Sequence, residues 1–559
     1  MSIKEEFPPT YECATASLKT REPESESATT IECGAMPSMA SAEKEPQKFM
    51  EPVYKFVGIK KQPSTKELGT LILLGTMLLL FMISVTGFFV MWFTQYYDNS
   101  YTSKLILANN SAAAKYWVNP PVDTYLKVHV FNYTNIDRYL SGEDSKIKVQ
   151  DVGPFTYQEH STKTNVKFNL NNTVTYNDHH SYTFLPDKSS DDRFKTVTVP
   201  NIPLMSASVS VDSLPFFAKL AATTTINALD LDAFLELPVD DFVWGYSDKL
   251  LNVLRNIMPE LKPKFGMLMN RNGTSPDTLQ IHTGVDDVRK LGVISQFNGM
   301  DQLNFWRDDE CNRIDGSDGS QFPPFLMEDR QPLHVFTQAL CRKLPLQFEE
   351  EVTILQDIDV WRYRTPMNVF ANPDDNPENA CYCDPSAVKC LPSGIFNGTR
   401  CYGAPIYPSF PHFFSGDPVL FEEFEGIEPN SEKHRTFADI HPRLAFPVDG
   451  ASRIQINIAL HKGKLLENKL KKMPDGLMLP VLWIEITSGE LSEELRTLLY
   501  HSTFSANVIQ IILKYGTLLT CVTSFALIVL AFYYLGQMRE EKKKADSKDK
   551  SELEELNKD

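Results

Sequence analysis

The sequence predicts two transmembrane helices that flank a large α+β ectodomain. The first observation is a pair of uncharged apolar segments, 68–93 and 515–535. Each is long enough to cross a hydrocarbon core of about 30 Å as a helix. The second is that the intervening residues, 94–514, show both strand-like and helix-like spacing of apolar side chains. The third is that all five Asn-x-Ser/Thr sequons lie in this intervening part.

The charges beside the apolar segments predict their orientation. Cytoplasmic flanks of membrane helices carry an excess of Lys and Arg, so both termini should be cytoplasmic. The predicted domains are a disordered N-terminal tail (1–67), the two spans (68–93 and 515–535), a glycosylated ectodomain (94–514) and a C-terminal tail (536–559). The basic flanking residues are Lys55, Lys60, Lys61, Lys66, Arg539, Lys542, Lys543 and Lys544. The candidate glycosylation sites are Asn109, Asn132, Asn171, Asn272 and Asn397.

The N-terminal tail is polar and rich in Ser, Thr, Glu and Pro, which is typical of disorder. It has no apolar core of the length that a cleavable secretory signal needs. Tyr54 and Val57 fit the tyrosine-x-x-bulky-apolar pattern of an endocytic sorting signal, although such short patterns also arise by chance. The formal net charge of −17, with no basic stripe, argues against nucleic-acid binding.

Period-two alternation predicts strands at both ends of the ectodomain. Apolar side chains alternate with polar ones in 124–134, in 452–461 and in 481–487. Pairing of these strands would bring distant parts of the chain together, which favours one large domain. Helical spacing is concentrated between Ser213 and Leu261, and acidic residues cluster within that helical region. Periodicity alone favours two ordinary surface helices packed on the sheet.

Six of the nine cysteines lie between Cys311 and Cys401, on the predicted extracytoplasmic side. An even number in an oxidising compartment favours three disulfides, and six cysteines allow 15 pairings that spacing alone does not separate. A zinc site is the weaker interpretation, because Cys381 and Cys383 have only one residue between them and no histidine pair follows at ligand spacing.

The run Asp315-Gly316-Ser317-Asp318-Gly319-Ser320 suggests a phosphate cradle or a calcium loop. It lacks the lysine of a phosphate loop, and Leu326 stands where a calcium loop needs a glutamate. We therefore interpret the run as a turn. His412 and His441 each lie beside a proline and are interpreted as structural corners. No catalytic motif is recognisable in the sequence, so we expect neither an enzyme nor a cofactor.

A set of motifs in order along the ectodomain carries a family resemblance. The sequence resembles the class B scavenger receptors, which include fatty-acid translocase, the high-density-lipoprotein receptor and the lysosomal integral membrane protein. The resemblance covers about 95–535. The matching residues are Gly153-Pro154-Phe155-Thr156-Tyr157, Trp244-Gly245-Tyr246-Ser247-Asp248, Asp318-Gly319-Ser320-Gln321-Phe322-Pro323-Pro324, Cys381-Tyr382-Cys383, Gly403-Ala404-Pro405, Ser409-Phe410-Pro411-His412-Phe413, His434-Arg435-Thr436-Phe437 and His441-Pro442.

The resemblance implies a fold and a set of sites. It implies an irregular antiparallel β-barrel, a helical bundle at its apex formed by Ser213–Leu261, and an apolar tunnel towards the membrane. Carried onto this sequence, it implies the disulfides Cys311–Cys381, Cys341–Cys401 and Cys383–Cys390. The candidate apex or lipid-contact residues are Leu214, Phe216, Phe217, Leu220, Phe234, Leu235, Phe242 and Trp244.

The resemblance also implies a function. We expect a cell-surface receptor that binds lipid or lipoprotein carriers and passes neutral lipid, namely carotenoid, sterol or fatty acid, into the membrane, with homo-oligomers as a further expectation. Relatives that bind anionic particles carry lysines at the apex, whereas this region is acidic. The C-terminal tail lacks the acidic dileucine address of the lysosomal relative, which favours the plasma membrane. The long N-terminal tail is similar to that of insect members, among which are carotenoid-uptake receptors.

Three other functions fit parts of the pattern. The same family contains recognition receptors for pathogens and apoptotic cells. Two-span ligand-gated channels share the topology, although the spans offer few polar positions for a pore, such as Thr86 and Thr520. An ectonucleotidase would also be membrane-tethered, but the phosphate-loop pairs that it needs are missing.

Overall fold

The computed structural model describes residues 65–556 except 257, 356 and 384–388. The proposed sorting residues Tyr54 and Val57 lie outside the described residues. The chain divides into two units, one of residues 1–78 with 528–559 and one of residues 79–527. The described part of the first unit consists of helical segments, and its buried side chains include Leu71, Leu74 and Ile528. The second unit holds all the strands and is described below.

Among the described residues, two helices are long and apolar enough to cross a membrane. The second of these is continuous from Ala506 to Leu556, so it extends beyond both ends of the predicted span 515–535. A short π-helical stretch, His501–Ser505, precedes it. The α-helices are α1 Thr65–Phe93, α2 Tyr96–Thr102, α3 Ala112–Val118, α4 Ile136–Ser141, α5 Ile202–Asp212, α6 Phe216–Asn227, α7 Val239–Trp244, α8 Lys249–Leu254, α9 Asp309–Asn312, α10 Phe325–Glu328, α11 Thr399–Tyr402, α12 Ser431–His434, α13 Gly463–Leu466, α14 Glu493–Tyr500 and α15 Ala506–Leu556.

The strands form one large, mostly antiparallel sheet and two small two-stranded sheets, β4 with β5 and β6 with β7. They are β1 Thr124–Tyr133, β2 Ile147–Phe168, β3 Thr173–Phe184, β4 Thr196–Pro200, β5 Phe234–Pro238, β6 Tyr246–Ser247, β7 Lys264–Phe265, β8 Gly273–Thr274, β9 Leu279–His282, β10 Ile294–Phe297, β11 Leu333–Thr337, β12 Arg342–Ile354, β13 Ile358–Arg364, β14 Ile406–Ser409, β15 Phe424–Glu425, β16 Phe437–Ile440, β17 Pro447–Ala459 and β18 Met478–Ser488.

The large sheet runs in the order β10-β9-β3-β2-β1-β18-β17-β16-β13-β12-β11. Its centre joins the two ends of the ectodomain, because β1 pairs with β18 in a register that places Val128 opposite Ile484. The three predicted strands are therefore present, and they pair as expected. Leu126, Val128 and Val130 are fully buried at alternate positions of β1, as period two requires.

The sheet closes almost completely into a barrel through the Asp-Gly-Ser run. Strands β10 and β11 are the two ends of the sheet, and Gly316 and Ser317 lie between them. The Ile294 N–H donates to the Gly316 carbonyl at 2.9 Å, and the Ser317 N–H donates to the His334 carbonyl at 2.8 Å. The Phe336 N–H donates to the Ser317 carbonyl at 2.8 Å. This closure contains the residues that we interpreted as a turn, so that interpretation was wrong for Gly316 and Ser317.

Both aspartates of the run are held by side chains of the protein. Asp318 accepts a hydrogen bond from the Tyr176 hydroxyl at 2.6 Å and lies 3.6 Å from the Lys163 ammonium. Asp315 pairs with Lys343 at 2.5 Å. These cationic and hydroxyl partners take the carboxylate oxygens that a calcium ion would need, so the calcium interpretation has no support.

Disulfides brace the region around the closure. They join Cys311 to Cys381, Cys341 to Cys401 and Cys383 to Cys390, which is the pairing that the resemblance implies. The first two span 70 and 60 residues of sequence and therefore tie β11, β12 and the following loops together.

The predicted helical region 213–261 differs from the structure in two ways. A helix that the sequence did not predict, α5, precedes it. Strand β5 interrupts it and pairs with β4. Local propensity does not explain the interruption, because in Phe234-Leu235-Glu236-Leu237 only the phenylalanine favours strands, while leucine and glutamate favour helices. The pairing with β4 therefore determines this strand.

Candidate functional site

Four of the proposed contact residues form an exposed apolar surface at the start of α6, called here the α6 surface. The exposed fractions are 39% for Leu214, 67% for Phe216, 82% for Phe217 and 56% for Leu220. Pro215 precedes the helix, and its fixed φ sets the direction in which α6 starts. The two phenyl rings lie edge to face, with centroids 5.4 Å apart. Only Ile226 of the twelve helix residues is buried, so α6 leaves an apolar face open to its surroundings.

The charges around the α6 surface have both signs, because the exposed Lys249 and Lys464 lie near its acidic residues. Lys219, the one basic residue of α6, pairs with Asp212 at 3.4 Å. Asp212 also bonds to His461 at 2.6 Å, and the pKa of its carboxyl is lowered first by that bond and then by Lys219. Asp230 pairs with Lys469 at 3.0 Å. Further acidic side chains of this region are exposed: Asp232, Glu236 and Asp241.

The other four proposed contact residues lie beneath this surface. Phe242 is fully buried, so it belongs to the core rather than to a contact surface. Trp244 packs on the rings of Tyr157 and Tyr182, with centroids 5.2 and 4.9 Å away. The half-buried Phe234 packs on Tyr133. Leu235 is also half-buried and, with these residues, adjoins one apolar cluster that continues from the helices α5–α8 to the barrel strands β1, β2, β17 and β18.

A second constellation, the Asp151 cluster, lies on the central strands of the barrel. The Asp151 Oδ1 lies 3.1 Å from His129 Nδ1, and its Oδ2 lies 3.0 Å from His412 Nε2. The Trp483 Nε1–H donates to Oδ2 at 3.1 Å. The His412 and His434 rings stack in parallel, with centroids 4.7 Å apart. Because β2, β1 and β18 are adjacent, residues remote in sequence share this one carboxylate.

The hydrogen bonds of the Asp151 cluster define which rings are neutral. The Glu428 N–H donates to His412 Nδ1 at 3.0 Å, so the proton of this ring is on Nε2 and is donated to Asp151. The Asn430 N–H donates to His434 Nδ1 at 3.0 Å. Burial and then the nearby His412 lower the pKa of His434 to about 3. The hydrogen bonds from His129 and His412 hold the pKa of Asp151 well below its usual range, although burial opposes them.

The arrangement of this cluster is structural rather than catalytic. Each carboxylate oxygen and each ring nitrogen described above is already paired within the protein. His441 has a similar role, since its Nδ1 accepts the N–H groups of Arg443 and Leu444 at 3.2 and 3.1 Å. Burial lowers the pKa of His441 to about 4. The interpretation of His412 and His441 as structural corners agrees with these contacts.

We expect the protein to lose stability in mild acid because of His434 and His441. Both rings are neutral in the folded state, while an unfolded chain binds protons at histidine below pH 6.5. The contribution of these rings to the free energy of unfolding is therefore full above pH 6.5. It decreases as the pH falls, until the pH reaches the pKa of each ring in the folded state. Between pH 6.5 and 5, protonation of the unfolded chain at each of the two histidines should lower the free energy of unfolding by about 2 kcal/mol. Chemical denaturation of the purified full-length protein at the two pH values measures this loss.

A variant pair assigns the acid effect to a residue. His434→Asn keeps an acceptor near the Asn430 N–H and removes the titrating ring, so it should reduce the loss between the two pH values by about 2 kcal/mol. His179→Gln, at a histidine bonded to Thr274 on an exposed part of β3, should keep the full dependence. Equal pH dependence in wild type and His434→Asn would show that His434 is not the cause.

The five sequons differ in their exposure. Asn109, Asn171 and Asn272 are exposed. Asn132 is half-buried, and its side-chain carbonyl accepts the Thr198 N–H at 2.8 Å. Asn397 is half-buried as well, and its carbonyl accepts the Thr399 N–H. Glycosylation at the three exposed sites is therefore our stronger expectation.

Comparison with known proteins gives the family. A model of the CD36 family matches residues 73–532. The chain belongs to the CD36 family. It is 33% identical to scavenger receptor class B member 1 of Sus scrofa over 392 residues, which are 69% of this chain and 75% of that protein. It is 34% identical to lysosome membrane protein 2 of Homo sapiens over 392 residues, or 69% and 80% of the two chains. Identity to lysosome membrane protein 2 of Mus musculus is 30% over 450 residues, or 79% and 91%.

Membership of the CD36 family confirms the resemblance to class B scavenger receptors that the motifs indicated. Several of those motifs converge on the Asp151 cluster. His412 and His434 come from two of them, and Gly153 from a third lies against β1: an added Cβ there would be 2.7 Å from the Val128 carbonyl. The motifs therefore encode contacts between central strands and loops, whereas the α6 surface lies outside them.

Proposed function

We propose that this chain is a lipid-binding scavenger receptor that takes neutral lipid from carrier particles at the α6 surface and passes it to the membrane. The observation that supports the proposal most directly is the exposure of Phe216 and Phe217 on a helix with a single basic residue. An aromatic side chain buries on the order of 150–250 Å² when it is covered. Two phenyl rings exposed to water lower the solubility of a protein, and exposed apolar surfaces of this kind are typical of contacts with apolar partners.

The α6 surface itself defines the class of particle. Lys219, the one basic residue of α6, pairs with Asp212, and the exposed residues around the helix carry both signs, such as Glu236 and Lys464. A neutral lipid surface meets the phenyl rings without a charge penalty, and α6 offers an anionic particle no unpaired basic residue. A receptor for anionic pathogens or apoptotic membranes is therefore the less favoured function.

The path of the lipid is the second part of the proposal. The apolar cluster beneath α6 continues from Phe242 to the barrel strands, and a tunnel along it would keep a lipid dry. Each CH₂ that crosses water costs about 0.8 kcal/mol, so a long-chain lipid without such a path meets a barrier of tens of kcal/mol. Flow through the tunnel needs no energy source and follows the concentration gradient.

The location and cargo of the receptor follow as proposals. Two membrane-spanning helices and membership of the CD36 family make it a two-span membrane protein. We place it in the plasma membrane with both termini cytoplasmic, and we propose carotenoid, sterol or fatty acid as cargo. One relative is named a lysosome membrane protein, so surface labelling of the full-length protein is the direct test of location.

The double substitution Phe216→Asp with Phe217→Asp should reduce uptake of a labelled sterol ester from lipoprotein particles by about tenfold or more. The reason is that two exposed apolar anchors are lost and two negative charges are added at the contact. Because both rings are exposed, surface expression and thermal stability should stay within the normal range. Uptake by cells that express the full chain, corrected for surface amount, measures the effect.

Leu170→Asp provides the matched control. Leu170 is fully exposed on the β2–β3 hairpin, outside the α6 surface, and its replacement leaves the sequon at Asn171 intact. It should leave uptake unchanged. Equal loss in both variants would mean that any exposed charge impairs the receptor, and unchanged uptake in the α6 variant would reject this surface as the contact.

A further inference from the structure

Arg342 is a buried cation that lacks a carboxylate partner among the described residues. It is 95% buried, at the start of β12. Its Nη2–H donates to the Asn379 side-chain carbonyl at 2.8 Å, and Glu378 attracts it only at longer range. Within the described part of the chain, no hydrogen-bond acceptor faces its Nε, and that nitrogen is itself buried. This differs from Arg362, which is held by both oxygens of Asp439 at 2.7 Å.

Aromatic rings surround the guanidinium. Its central carbon lies 4.1 Å from the centroid of Tyr382, 5.2 Å from Phe396 and 5.9 Å from Phe370. Such rings favour a cation, but they do not replace the counter-charge that a buried cation loses with its water. Burial accordingly lowers the pKa of Arg342 and outweighs the attraction of Glu378, so this buried charge is a cost to the free protein.

The guanidinium lines an open cleft of about 250 Å³. The same rings, Phe370, Tyr382 and Phe396, line it, and so does the exposed Lys389. This volume is below the range of drug-sized pockets, so the cleft suits a small molecule or one end group rather than a whole lipid. A second basic residue in the lining adds to its preference for negative charge.

We propose that this cleft binds a small carboxylate whose apolar body packs on its aromatic walls. A guanidinium presents parallel N–H donors that match the two oxygens of a carboxylate, and Arg342 is one of the residues that line the cleft. Lys389 supplies long-range attraction at the rim. The site is separate from the α6 surface, so a test of this site does not depend on whether the protein transfers lipid.

Benzoate and benzamide test the site as a matched pair, because they share the ring and differ in charge. Isothermal titration of the purified full-length protein should show saturable binding of benzoate and none of benzamide. Lys389→Gln changes an exposed residue and should weaken benzoate binding by about threefold. Arg342→Lys keeps the charge but loses the paired donors, and it should weaken binding by about tenfold or more.

Two controls keep the result interpretable. Lys167→Gln removes an equal charge from an exposed position on β2 and should leave binding unchanged. Thermal unfolding of each variant identifies loss of folding, and Lys389→Gln carries the test if Arg342→Lys does not fold. Binding of benzamide as tight as benzoate, or benzoate binding unaffected by Lys389→Gln, would overturn the proposal.

Discussion

Replacement of Asp151 by alanine should lower the unfolding free energy by about 2–4 kcal/mol. The carboxylate receives hydrogen bonds from His129, His412 and Trp483, and its loss leaves three donors without their acceptor in a mostly buried region. The Asp151 side chain itself is one quarter exposed, so water can replace part of the lost bonding. Chemical denaturation of the purified full-length protein at pH 7 measures the change.

Two further variants test the cause of this loss. Asp151→Asn retains the shape and one acceptor oxygen, so it should cost less than alanine. Asp191→Ala removes a carboxylate from a solvent-exposed pair with Lys195 and should lower the stability far less than Asp151→Ala does. Equal stability of the Asp151→Ala and Asp191→Ala proteins would show that the cluster does not stabilise the barrel.

Replacement of Gly316 by valine should cost about 3 kcal/mol, because it opens the barrel closure. An added Cβ would lie 2.9 Å from the His334 carbonyl oxygen and 3.1 Å from the Phe336 nitrogen. Both atoms belong to the backbone of the same strand and are hydrogen-bonded to Ser317: the His334 carbonyl accepts from its N–H, and the Phe336 N–H donates to its carbonyl. Neither atom can move without loss of these bonds. The expected result is a lower denaturation midpoint and faster amide exchange in β11.

A graded series separates this clash from a general effect of valine. Gly316→Ala introduces only the Cβ and should already destabilise, by less than valine does. Gln347→Val places the same side chain at an exposed position of β12 and should have little effect. Wild-type stability of Gly316→Ala would show that the closure tolerates a side chain.

The central strands β1, β17 and β18 were predictable from the sequence, whereas the long β2–β3 hairpin was not. In β1 and β17, apolar residues alternate with polar ones at period two, so the strands themselves were visible in the sequence. The alternation did not show which face lies inside: in β17 the polar Gln455 and Asn457 are fully buried, and the first seven residues of β18 are all buried. The outer half of β2, by contrast, carries His, Ser, Thr, Lys and Asn on partly exposed faces, so no apolar period marks it. Helix α5 was missed for a similar reason, since it is buried on several sides and has no polar face to set a period.

The candidate site was predictable only in part. Apolar periodicity located the α6 region, but it could not show that Phe217 is exposed while Phe242 is buried, because that depends on which elements cover each face. The Asp151 cluster gave no local signal, since its members come from four distant parts of the sequence. Only the family motifs around His412 and His434 pointed to it, without indicating what they contact.

The pairing of the first barrel strand with the last has a consequence for biosynthesis. Strand β1 emerges from the ribosome early, yet one of its two neighbours, β18, is more than 350 residues away in the sequence. At translation rates of about 5–20 residues per second, one edge of β1 stays without its partner for roughly 20–70 s. During that time the strand that carries Leu126, Val128 and Val130 has an open, aggregation-prone edge. The barrel therefore cannot be completed until synthesis is nearly finished, and the newly made chain should depend on chaperones until its last strand arrives.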